Sequence, residues 1–192
     1  EELLENFESN YNMINECLTN HQDFTREYYP ILLKALGLII DSCSVYIQNE
    51  KSEMIDTFIS QFLYFADMPL TVENENENDI EYANTFYDAM FVFATSIFKC
   101  ISEASNLKQN TRLMKKINDG ITKSYFSNLE YNFSDNSLNS FFNYIKQYIK
   151  TFGHKGNVII NRNSNYKILF NAACSKNKKT QKEALIYIKD LI

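Results

Sequence analysis

The sequence predicts an all-α fold of about eight helices, arranged as antiparallel pairs that stack on one another. Only 4 glycines and 2 prolines occur among 192 residues, too few for the many turns of a β-fold. Hydrophobic residues make up 45% of the chain, enough to bury a core and to exclude global disorder. Apolar residues recur at three- and four-residue steps through most of the chain, which is the spacing of amphipathic helices.

The first two predicted helices occupy residues 1–49. Residues 1–19 place apolar side chains on one face and acidic residues in the first turn, where the helix dipole favours them. A second helix starts near Thr25, with Pro30 tolerated close to its beginning, and its body covers residues 31–47. Gly37 lies in that body, where it costs about 1 kcal/mol relative to alanine. We therefore expect another helix to pack closely against it.

A third helix is predicted over residues 53–68, with Ser52 as its N-cap and a proline immediately after it. Residues 71–79 then form a polar, acidic loop that ends at Asp79, the expected N-cap of the most apolar helix in the chain. That helix is expected to run to about residue 105.

The aromatic residues of this central helix have two interpretations. Phe86, Tyr87, Phe91, Phe93 and Phe98 could line a ligand pocket, but aromatic residues at helical spacing are more often core. Phe93 falls on one stripe of the helix, whereas Phe91 and Phe98 fall nearer another. A helix covered on two sides suits the middle layer of a stack.

The C-terminal part is predicted to contain four further helices: residues 111–129, a helix carrying apolar positions 138–149 behind caps at 134–137, residues 163–174, and residues 180–192. Residues 158–160 are ambiguous, either an extended connection or a helical turn. Because the chain starts without methionine and ends on apolar residues, we interpret residues 1–192 as one helical domain within a larger protein.

Grouping the helices in pairs gives the ranges 1–49, 50–105, 106–152 and 157–192. Four pairs in 192 residues average 48 residues, near the roughly 40–47 of HEAT and armadillo units. The stretches YPILLKALG (29–37) and KEALIYI (182–188) resemble inner helices of HEAT-type units, which build importin-β/exportin receptors and many large scaffolds. The resemblance implies a short right-handed solenoid that binds proteins. Protein transport is one of the roles that it implies. A single helical bundle is the alternative fold.

Charge divides the chain into two halves. Residues 1–96 carry 3 basic and 18 acidic side chains, and residues 97–192 carry 16 and 6, so the net charge changes from −15 to +10. The acidic candidates for partner binding are Glu73, Glu75 and Glu77, and the basic candidates are Lys146, Lys150, Lys155, Arg162, Lys176, Lys178, Lys179 and Lys182. We expect a basic peptide or protein to bind the acidic half. Nucleic acid is the less favoured partner, because the whole chain is acidic and lysine dominates over arginine.

Known catalytic and cofactor motifs are missing from the sequence. The two histidines, His21 and His154, lie far apart in predicted loops, and neither belongs to a Glu-x-x-His metal motif. The segment GHKG at 153–156 lacks the strand and the Ser/Thr of a phosphate-binding loop, so we interpret it as a turn. We expect no cofactor and no enzymatic activity. The alternative is a compact helical domain with a small-molecule pocket, either a ligand sensor or an enzyme.

Several features favour a cytoplasmic or nuclear protein. The sequence starts without a signal-peptide pattern, and Asp88 interrupts the best candidate for a membrane span. Cys17, Cys43, Cys100 and Cys174 are widely spaced among apolar residues. We therefore expect all four to be reduced residues of the core.

Overall fold

The computed structural model describes residues 6–19, 26–66, 77–101, 134–152 and 169–191, and every regular element in these ranges is helical. The elements are α1 (Phe7–Thr19), a 3-10 turn (Arg26–Tyr28), α2 (Tyr29–Ser42), α3 (Ser44–Glu50), α4 (Met54–Ala66), α5 (Glu77–Ile101), α6 (Asp135–Phe152) and α7 (Lys178–Leu191). Residues 169–173 are also helical. The all-α prediction is confirmed for this part of the chain. The predicted helix at 111–129, the segment 158–160 and both histidines lie outside it.

The predicted second helix is broken at Cys43, which the sequence pattern did not indicate. Helices α2 and α3 meet there at an angle of 67°. Cys43 has φ −105° and ψ 11°, outside the helical region, although its N–H still donates to the Ile39 carbonyl at 3.1 Å. The bend directs α3 across the C-terminal end of α5, where the Gln48 amide donates to the Lys99 carbonyl.

None of the described helices is by itself long and apolar enough to cross a bilayer, and α2 and α3 reach the required length and composition only as the bent pair.

Helix α5 begins at Glu77, two residues before the predicted cap at Asp79. The predicted loop is therefore shorter at its C-terminal side. Glu77 and Asp79 both fall in the first turn of the helix, where the helix dipole favours negative charge. A start at Glu77 therefore still leaves Asp79 at a favourable position.

Helices α6 and α7 begin at side-chain caps. The Ser134 hydroxyl accepts the Ser137 N–H at 3.3 Å, which confirms the predicted cap before α6. The Asn177 amide oxygen accepts the Lys179 N–H at 2.9 Å. Because of this cap, α7 starts at Lys178 rather than at the predicted residue 180.

Helix α5 is the centre of the described structure, with α2, α3 and α4 on one side and α6 on the other. The Phe93 ring lies 6.2 Å from the Phe62 ring of α4. The Phe91 and Phe98 rings instead face α6, and Phe98 lies 5.3 Å from the Tyr148 ring. All the aromatic residues of α5 named above are buried, so their predicted packing role is confirmed.

Helices α2 and α5 run parallel and very close together. Lys34 near the start of α2 pairs with Asp88 at 2.7 Å, and Asp41 near its end pairs with Lys99 at 2.5 Å. Between these pairs, a Cβ added to Gly37 would lie 3.1 Å from both the Cα and the N of Phe93. The close helix packing expected at Gly37 is confirmed.

Helices α5 and α6 are also parallel, and their contacts keep one register. The Ser137 hydroxyl donates to the Asn84 carbonyl at 2.8 Å near the start of both helices. The Thr151 hydroxyl donates to the Phe98 carbonyl at 3.2 Å near their ends. Both contacts join residues 53 positions apart in the sequence, so the two helices stay side by side along most of their length.

Helices α1 and α4 form a second parallel pair. Three contacts follow one another in the same order along both helices. They are Glu8 with Lys51 just before α4 at 2.6 Å, Tyr11 with Phe58 at 5.4 Å between ring centres, and Asn15 with Gln61. Tyr29 at the start of α2 contacts Phe65 near the end of α4, so α2 runs antiparallel to α4.

The cysteine prediction is confirmed for two residues and wrong for one. Cys43 and Cys100 are buried, Cys17 is half-buried, and Cys174 is exposed. Cys174 follows the helical segment 169–173, in which Phe170 is itself 65% exposed. Its apolar neighbours in the sequence therefore do not place it in the core.

We expect Cys100 to make the protein less stable at alkaline pH. Burial raises the pKa of its thiol from 9.0 to about 12. Between these pH values the folded chain keeps a proton that the unfolded chain has lost, so the free energy of unfolding falls as pH rises, by up to about 1.4 kcal/mol per pH unit. Urea titrations from pH 8 to pH 11 should show this slope, and Cys100→Ala should reduce it. An unchanged slope in the variant would contradict the assignment.

Candidate functional site

Three parallel helices present side chains, most of them polar, on one shared surface. The residues, spaced three or four apart on each helix, are Lys34, Leu38 and Asp41 of α2, Glu81, Thr85, Asp88, Val92, Thr95 and Lys99 of α5, and Asn136, Ser140, Asn143, Gln147 and Lys150 of α6. We call this surface the α2–α5–α6 face. Grooves between the helices follow it from one end to the other.

The N-terminal end of the face is acidic. A groove of about 540 Å³ between the 3-10 turn, α2 and α5 is lined by Glu27, Asp79 and Glu81, together with the exposed Ile31. Glu77, one of the predicted acidic residues, is the first residue of α5 and so belongs to this end of the helix. Glu73 and Glu75 lie outside the described residues.

Asp88 joins the three helices in the middle of the face. Its carboxylate accepts one hydrogen bond from the Lys34 ammonium of α2 at 2.7 Å and another from the Ser140 hydroxyl of α6 at 2.5 Å. The Asp88 side chain is 11% exposed, whereas that of Lys34 is 49% exposed. A carboxylate so far removed from water requires such partners. In the sequence Asp88 was only an interruption of an apolar run, and its charge within that run was the available signal.

Replacing Asp88 with asparagine is expected to lower the free energy of unfolding by about 1–3 kcal/mol. The change removes the ion pair and leaves one acceptor oxygen in place of two, so Lys34 and Ser140 can no longer each donate to an oxygen of their own. Urea denaturation measures the effect, with Glu50→Gln at an exposed position of α3 as the control for loss of one acidic charge. Equal stability of the two variants would show that the Asp88 contacts contribute nothing.

The C-terminal end of the face is basic. A groove of about 480 Å³ between α2, α5 and α6 is lined by Lys99, Lys146 and Lys150. Lys99 pairs with Asp41. Lys146 and Lys150 are exposed, lie one helical turn apart, and have no ion-pair partner among the residues that the structure describes.

The polar side chains of this basic groove mostly donate their hydrogen bonds inward. Thr95 donates to the Phe91 carbonyl at 2.7 Å, Ser96 to the Val92 carbonyl at 2.9 Å, Ser140 to the Asp88 carboxylate, and Gln147 to the Thr151 hydroxyl at 3.3 Å. The oxygens of the half-buried Thr95 and Ser140 remain available as acceptors. The exposed donors that the groove offers to a ligand therefore include the lysine ammonium groups and the Asn143 amide.

The predicted basic residues do not share one surface. Lys146 and Lys150 line the basic groove. Lys176, Lys178, Lys179 and Lys182 are exposed in and before the first turns of α7. Lys178 and Lys182 line a separate surface depression with Leu185 and Ile186. Lys155 and Arg162 lie outside the described residues. Lys99, which the prediction omitted, joins the first group because its helix packs between α2 and α6.

In the described ranges no three His, Cys, Asp or Glu side chains converge as a metal site would require. No protein-family model matches the chain, and neither a curated protein nor a solved structure matches it.

Proposed function

We propose that the chain is a non-enzymatic protein-binding scaffold, built as a HEAT-like stack of antiparallel helix pairs. A partner protein lies along the α2–α5–α6 face. The observation that carries the proposal is this face itself, because three parallel helices in one layer present a continuous grooved surface on which polar and apolar side chains are mixed. Helical repeat proteins bind their partners on surfaces of this kind.

The order of the helix contacts supports a stack. Helix α2 packs on α5, α5 on α6, and α6 on α7, where the Phe142 and Tyr187 rings lie 5.4 Å apart. These four helices are the second members of the pairs predicted from the sequence. The first members α1 and α4 run parallel to each other in a separate layer. Stacked pairs produce two such layers, with parallel helices within each layer.

A HEAT-like stack also agrees with a role in protein transport, because nuclear-transport receptors are one class of protein built in this way. The cytoplasm and nucleus are the compartments in which we place the chain. Its acidic groove end suits basic side chains of a partner, as expected from the charge of the N-terminal half. The small-molecule alternative loses its main support, because the aromatic residues of α5 are used in packing between helices.

Peptide selection tests whether this face is the docking surface. Peptides selected from a random library on the immobilised chain are then measured against two variants by fluorescence anisotropy. Asn143→Trp places a bulky side chain in the groove between α5 and α6, and Ser60→Trp places it on the exposed side of α4. We expect the first variant to lower the affinity at least about tenfold, a loss of about 1.4 kcal/mol, and the second to leave it unchanged. Equal affinity for both variants would reject the face.

A further inference from the structure

The Lys146–Lys150 pair is unfavourable for the stability of α6. Like charges four residues apart on a helix repel by about 0.2–0.5 kcal/mol. No described acidic side chain forms an ion pair with either lysine, although Asp41 lines the same groove and pairs with Lys99. Lys150 gains something from its position in the last turn, but Lys146 lies a full turn earlier. An anionic ligand would relieve the repulsion between them.

The hydrogen-bonding pattern of the groove identifies the class of ligand. Thr95 and Ser140 line it and use their protons within the protein, so towards a ligand each presents an acceptor oxygen. A peptide carries N–H donors for these oxygens and, when acidic, carboxylates for the ammonium groups. The backbone of a nucleic acid offers negative charge but no donors at its phosphates. The groove therefore suits an acidic peptide better than a nucleic acid.

We propose that the basic groove binds an acidic segment of a partner protein. Two carboxylates of the segment pair with the ammonium groups of Lys146 and Lys150, and its main-chain N–H groups donate to the Thr95 and Ser140 oxygens. This proposal rests on the proposed function, since it names the chemistry of the partner at one end of the α2–α5–α6 face.

The chain offers a matched control for the test. Lys178 and Lys182 are also four residues apart and exposed on a helix, but they lie on the separate surface of α7. The double variants Lys146→Gln/Lys150→Gln and Lys178→Gln/Lys182→Gln therefore lose the same charge from different places. The probes are a fluorescein-labelled peptide of alternating Glu and Ser, the same peptide with Gln for Glu, and a labelled oligothymidine.

We expect the acidic peptide to bind the unmodified chain and the Gln peptide to bind at least about tenfold more weakly. Lys146→Gln/Lys150→Gln should reduce the affinity for the acidic peptide about tenfold, and the α7 double variant less than about twofold. Circular dichroism during thermal unfolding checks that both variants remain folded.

Three results would overturn the proposal. The acidic peptide does not bind, both double variants lose equal affinity, or oligothymidine binds more tightly and depends on Lys146 and Lys150. The proposed function is judged separately by the library peptides. If those peptides bind and Asn143→Trp lowers their affinity, the face remains a docking surface even when the acidic peptide does not bind. If Asn143→Trp also leaves the affinity of the library peptides unchanged, both proposals are rejected.

Discussion

Phe98→Ala is expected to lower the free energy of unfolding by about 3–5 kcal/mol, the largest effect of any single change considered. Phe98 has no exposed surface, and its ring lies 5.4 Å from the Tyr144 ring and 5.3 Å from the Tyr148 ring of α6. Truncation removes these contacts and leaves a cavity between α5 and α6, which rigid neighbouring helices fill only in part. Chemical denaturation measures the change.

Phe170→Ala is the control for this prediction, because it makes the same chemical change at a side chain that is 65% exposed. Its effect should stay within about 0.5 kcal/mol. If Phe98 instead lined an open ligand pocket, its removal would cost little stability. Similar stabilities of the two variants would therefore contradict the packing of α5 on α6.

Gly37→Val is expected to lower the free energy of unfolding by about 3 kcal/mol. Even a Cβ at this position would lie 3.1 Å from the Cα and N of Phe93 and 3.2 Å from Val92 Cγ1. The atoms at 3.1 Å belong to the backbone of α5, which cannot move aside as a flexible side chain can. The two further methyl groups of valine would push α2 and α5 apart.

Leu38→Val is the matched control, since it introduces valine at the next position of α2, where the side chain is 54% exposed. Helix propensity works against the expected difference, because valine is a better helix former than glycine and a poorer one than leucine. Leu38→Val should cost less than about 1 kcal/mol. A Gly37→Val variant as stable as this control would show that α2 and α5 do not approach each other at Gly37.

The central helix was predictable because its pattern is local. Apolar residues on two stripes of α5 indicated two neighbours, and the structure places α4 against Phe93 and α6 against Phe98. The break at Cys43 was hidden because buried residues continue at helical spacing from Ile40 through Cys43 to Ile47. A hydrophobic period records which residues are buried, but it does not record a change of helix direction.

The candidate site depended on information that the sequence pattern does not contain. Asp88 finds its partners Lys34 and Ser140 at sequence separations of 54 and 52 residues. Lys146/Lys150 and Lys178/Lys182 have the same spacing in the sequence. Only the packing of the helices shows that the first pair borders the groove between α2, α5 and α6, whereas the second pair lies on the separate surface of α7. The same packing decided that Cys174 is exposed despite its apolar neighbours.

The stacking order of α2, α5, α6 and α7, the second helices of the four pairs, is tested most directly by a distance between α2 and α7. Spin labels are attached at the exposed positions Leu38 and Leu185 after each is replaced with cysteine, with Cys17 and Cys174 changed to serine. In a stack, three interhelical spacings of about 8–10 Å separate these helices, so double electron–electron resonance should give a distance of about 25–30 Å or more. A closed bundle would bring α7 next to α2. A main distance of about 15–20 Å, one interhelical spacing plus the labels, would contradict the stack.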